Sequence, residues 1–78
     1  MEDPLDEIHF DDVLRHGDPT TWKFLGPKKG SPARVHSLDA QEGAMKHYDL
    51  YRDEFGDLIE VHYFRNPDGS VSVVSIKD

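Results

Sequence analysis

Two histidines and two carboxylates in the second half of this 78-residue chain, His47, Asp49, Glu60 and His62, have the types that acid–base chemistry needs. An imidazole titrates near neutral pH, and a carboxylate beside it raises its pKa and fixes its tautomer. RNA cleavage through the 2′-hydroxyl asks for a base, an acid for the leaving oxygen and a cation for the crowded phosphate. His62 with His47 or Glu60 would supply the first two, and Lys28, Lys29 or Arg34 the third. The plainer reading is two histidines on a solvated sheet face, paired across strands with acids. The same four side chains suit zinc or another divalent ion, but their spacing matches no short metal motif. The expected chemistry therefore needs neither metal nor other cofactor.

The remaining candidates are weaker. "GPKKGSPAR" offers glycine-freed amides and the charges of Lys28, Lys29 and Arg34 to a phosphate, yet it lacks the GxxxxGK[ST] pattern and reads equally as a solvated turn. Trp22, Phe24 and Phe55 have faces for base stacking, although a tryptophan in so small a domain belongs more often to the core. His9, His16 and His36 stand alone and read as surface or loop residues.

Whether His47 meets His62 depends on the strands that carry them. Segments 45–52, 58–64 and 70–77 are rich in β-branched and aromatic residues and are separated by the turn clusters "RDEFGD" and "RNPDG". Pairing Arg52 with Asp57 and Asn66 with Gly69 gives an antiparallel meander with Tyr48, Leu50, Ile59, Val61, Tyr63, Val74 and Ile76 on one apolar face. The opposite face then carries Met45, His47, Asp49, Tyr51, Glu60, His62, Phe64, Val71, Val73 and Ser75, with His47 across from His62 and Asp49 across from Glu60. "NPDG" also suits a type I turn with a glycine bulge, which slips the last strand by one residue unless a second bulge restores it. Upstream, Trp22 to Leu25 and "ARVHSL" read as short strands, and Asp39 with Glu42 caps at most one helical turn near 39–44. Asp3-Pro4 and the spacing of Leu5, Ile8 and Val13 predict a short helix or arm that ends at "HGDP".

These elements make a small α+β, β-rich domain: an acidic N-terminal helix or arm over 1–18 and a β-rich core over 19–78. At this length a hydrophobic core supplies only about 3–5 kcal/mol. The chain has no cysteine, which excludes disulfides and thiolate metal sites and fits a reducing compartment. No apolar run approaches a membrane span and no cationic leader opens the chain, so a soluble protein without a membrane partner is expected. The net charge of −7 is unevenly spread: residues 1–18 hold seven acids against Arg15, 19–36 hold four bases and no acid, and 37–78 hold nine acids against four bases. That sign opposes bulk attraction to nucleic acid while leaving a basic middle segment for local use.

The stretches "WKFLGPKKGSPARVHSLDAQEG" and "IEVHYFRNPDGSVSVVSIK" resemble the C-terminal ribonuclease domains of bacterial polymorphic toxins and ribonuclease colicins, over roughly the last 57 residues. The resemblance implies a twisted antiparallel sheet that displays catalytic residues on one face, RNA as substrate, a cognate immunity protein as partner, and cytoplasmic action after delivery as part of a secreted toxin. The D-x-Q-H-G-x-x-E stretch of ribosome-cleaving colicins is matched here only at Asp39, Gln41 and Gly43; Glu42 stands for the histidine and Lys46 for the second acid. Two expectations follow. One is a metal-independent ribonuclease with His62, His47 and Glu60 catalytic and Lys28, Lys29 and Arg34 on the phosphates. The other is a non-enzymatic acidic module, an immunity or inhibitor protein, that engages a basic protein through residues 1–18.

Overall fold

The structure is a computed structural model that describes residues 1–35 and 40–78. The chain opens with a 3-10 turn, Pro4–Glu7, and a short helix α1, Phe10–His16, then a second 3-10 turn at Pro19–Thr21. One antiparallel sheet follows: β1 Lys23–Pro27, β2 Ala33–Arg34, β3 Met45–Arg52, β4 Leu58–Arg65 and β5 Val71–Lys77. β3, β4 and β5 form a meander, and β1 and β2 both pair with the free edge of β3. The small α+β, β-rich domain and its C-terminal meander are as the sequence predicts, with the ends of β3, β4 and β5 within a residue of expectation, whereas β1 runs two residues past Leu25 and β2 stops at Arg34.

The predicted N-terminal helix forms as two pieces. Asp3 caps the first, its carboxylate accepting the Leu5 amide at 3.0 Å with Pro4 in the first turn, but the chain is extended again at Ile8. Gly17, at φ 83°, ends α1 where "HGDP" predicted a stop. His36, Ser37, Leu38 and Asp39 lie outside the described residues, as do the expectations placed on them: the far end of the "ARVHSL" strand, the Asp39 cap and the first motif residue of the toxin resemblance. Among the described residues, Gln41 to Ala44 makes one tight turn, closed by the Ala44 amide on the Gln41 carbonyl at 3.1 Å.

The register of β3 against β4 departs from the predicted one by a single residue. Asp53 pairs with Asp57, not Arg52 with Asp57, because the connection is a three-residue loop with Gly56 at φ 85°. Only a residue that tolerates the left-handed region fits there, and a type I turn followed by such a residue closes over one position fewer than the predicted loop between Arg52 and Asp57. A one-residue slip exchanges the faces of a whole strand. His47 therefore pairs with Tyr63, Tyr48 with His62, Asp49 with Val61 and Tyr51 with Ile59.

The turn at "NPDG" repeats the device. The Asn66 amide donates to the Ser70 carbonyl at 2.9 Å and Gly69 sits at φ 88°. A second bulge near Val73, at φ 51°, then brings Val61 opposite Ile76 and returns Val74 and Ile76 to the apolar side. The core is Trp22, Tyr51, Ile59, Val61, Tyr63 and Val74, with Leu5, Ile8, Val71 and Ile76 packed on it. Tyr48 and Leu50 are thus not core residues, while Tyr51 and Val71 move to the apolar side. The N-terminal arm covers that side through Leu5 and Ile8.

Candidate functional site

The face of the sheet opposite the core takes alternate residues of each strand: Lys46, Tyr48, Leu50 and Arg52 on β3, Leu58, Glu60, His62 and the buried Phe64 on β4, and Ser72, Ser75 and Lys77 on β5. Lys23 joins this face opposite Arg52. At its centre the Glu60 carboxylate lies 2.9 Å from His62 Nε2 and accepts the Lys28 ammonium, which reaches over from the end of β1, at 3.3 Å. The order follows from the strands: Glu60 and His62 are two apart and so neighbours on one face, and the Lys28 amide is fixed on the Tyr48 carbonyl at 2.7 Å. Hydrogen bonding to His62, only partly offset by burial, together with Lys28 holds the Glu60 carboxyl below the ordinary carboxylate range.

Aromatic groups frame these charges. The His62 ring meets Tyr48 edge to face, with centroids 4.7 Å apart. Lys46 Nζ stands 5.6 Å from the Tyr48 centroid and 5.3 Å from that of Phe64, within cation–π reach of both. Lys23, Lys28, Lys46, Arg52 and Lys77, five of the nine Lys and Arg, thus share a face whose strands contribute one acid, Glu60.

Of the six residues singled out from sequence, the fold gathers Lys28, Glu60 and His62. His47 is the clearest correction: it lies on the opposite face, its ring stacked on Tyr63 at 4.9 Å and 6°. Burial lowers its pKa, with Arg65 lowering it further and Asp49 opposing. The predicted His47–His62 pair does not exist, because the sheet stands between them. Asp49 likewise sits opposite Val61 and accepts the Tyr63 hydroxyl at 2.8 Å, so it does not face Glu60. Burial of the ring, and after it that carboxylate, raise the Tyr63 pKa. Lys29 is exposed in the turn after β1, and Arg34 is exposed opposite Met45, on the His47 side.

One polar pair escapes sequence reasoning altogether. His16, expected to be isolated, is buried with Nδ1 2.9 Å from Asp53 Oδ2, 37 positions away. Asp78 Oδ1 approaches its Nε2 at 2.9 Å without the alignment of a hydrogen bond. Trp22 Nε1 donates to the His16 carbonyl at 3.0 Å, which ties α1 to the core. Among the described residues no three His, Asp or Glu side chains gather as a metal ion requires, and no helix is long and apolar enough to cross a membrane.

No protein-family model, no curated protein and no solved structure matches this chain. The likeness to ribonuclease toxins therefore rests on the residues quoted for it.

Proposed function

We propose that the open sheet face binds single-stranded RNA and that Glu60 and His62 cleave it without a metal. The observation that carries this reading is the carboxylate shared by an imidazole and an ammonium at the middle of a basic, aromatic surface. Tyr48 and the imidazole offer faces for bases, and the five cations offer charge to phosphates. With His47 on the far side, Glu60 takes the role of base. Its ionised carboxylate removes the 2′-hydroxyl proton as that oxygen attacks phosphorus, and protonated His62 gives its proton to the departing 5′ oxygen. Lys28 meets the non-bridging oxygens. The products are a 2′,3′-cyclic phosphate and a 5′-hydroxyl end.

The test is incubation of purified protein with single-stranded RNA in EDTA, beside a DNA strand of the same sequence. Cyclic-phosphate products from RNA alone are expected, and His62→Ala should slow their formation by roughly 10²–10⁴, the span usual for one acid–base group. RNA that stays intact at any pH tried would end the catalytic reading.

A further inference from the structure

The helix α1 is amphipathic in the wrong sense for a monomer. Its buried residues are Asp12 and His16, while Phe10 and Leu14 are 72% and 66% exposed. Those two are four apart and so lie on one stripe of the helix, which a folding role would turn inward. The inward side is held by polar bonds: the imidazole of His16 meets Asp53, and the His16 carbonyl accepts both Trp22 Nε1 and the Glu54 amide, at 3.0 and 3.1 Å. The helix is thereby fixed with its apolar pair pointing away from the domain. Asp6, Glu7 and Asp11 are exposed on and just before it, and the segment's single cation, Arg15, is paired with Asp12.

From this we infer that α1 is a docking surface for a protein partner with an apolar cleft edged by lysines and arginines. Phe10 and Leu14 enter the cleft as the i and i+4 anchors of a helix in a groove, and the acids meet its basic edge. A nucleic acid is repelled by this segment, with its seven acids against one base, and a neutral apolar surface would leave those acids unanswered. The surface is separate from the open sheet face and stands or falls independently of RNA cleavage.

The probe is a synthetic amphipathic peptide of leucine and lysine, titrated into the isotopically labelled full chain and followed by amide chemical shifts. Shifts should centre on residues 6–15 and leave those of Tyr48 and His62 in place. The paired change Phe10→Ser and Leu14→Ser should weaken binding at least tenfold with the thermal midpoint unchanged, while Phe24→Ser, at another exposed aromatic, should not weaken it. Asp6→Asn with Asp11→Asn should slow association and flatten its salt dependence. Equal binding by the Phe10/Leu14 variant, or shifts centred elsewhere, would overturn the inference. So would a free protein that sediments as a dimer and becomes monomeric in that variant, since a second copy would then be the occupant.

Discussion

At the scale of single residues, the fold rests on a few buried side chains with no alternative placement. Val61 is fully buried in a core of six residues, and a carboxylate there would have no partner, so Val61→Asp should abolish the folded state. A cooperative thermal melt retained by that variant would contradict the core as described. Asp53 makes the complementary case. It accepts the Phe55 and Asp57 amides at 2.8 and 2.9 Å and faces His16, and although burial works against ionisation these bonds outweigh it and lower its pKa. A carboxyl whose folded pKa is depressed contributes stability that is complete above its unfolded value of about 3.9 and is lost as pH falls through the folded one. Asp53→Asn should therefore lower the midpoint most at neutral pH, and the gap from wild type should close as pH falls below about 4. A gap that stays constant from neutral pH to pH 2 would show that the charge is not what matters there.

At the scale of elements, strand spans were legible in the sequence and strand register was not. Runs such as "LIEVHYFR" and "VSVVSIK" announce strands by composition, and their observed limits fall within a residue of the reading. Register depends instead on turn conformation, where one residue in the left-handed region changes the loop by one position and exchanges both faces. For this reason the nearness of Glu60 and His62, two apart on one strand, is legible in the sequence, whereas the side on which His47 lies depends on the register across strands and is not. The His16–Asp53 contact had no sequence signal, because it joins a helix end to a turn across 37 residues. The first turn and the bulge in β5 can be tested directly. No atom lies within 4 Å of a Cβ built at Gly56, so Gly56→Ala should cost only the left-handed strain, about 1 kcal/mol, seen as a lower denaturant midpoint with an unchanged slope. Val73, β-branched and exposed at φ 51°, already bears such strain. Val73→Asn should relieve it and raise stability by about 1 kcal/mol; a loss of similar size would argue that the Val73 side chain packs on something that matters.

At the scale of the whole molecule, folding sorts the charge. A chain of net charge −7 presents one sheet face with five cations and gathers the acids of residues 1–18 about the arm that covers the other. The average composition hid this polarity, since it argues against nucleic acid while the strand alternation collects Lys23, Lys46, Arg52 and Lys77 on one side. RNA binding at that face should weaken steeply with salt. Three to five phosphate contacts would give a slope of about −2 to −4 in a plot of log affinity against log salt, at roughly −0.7 per contact for single strands. Affinity independent of salt would remove the cations from the account.

The most direct measurement compares the two histidines on opposite sides of the sheet, by the rate at which His62→Ala, His47→Ala and wild type cut one labelled single-stranded RNA in EDTA. His62→Ala should lose roughly 10²–10⁴ in rate, the span of one acid–base group. His47→Ala should cut within a few-fold of wild type once each protein is shown to be folded. Equal cutting by His62→Ala and wild type, or a loss confined to His47→Ala, would contradict catalysis by Glu60 and His62.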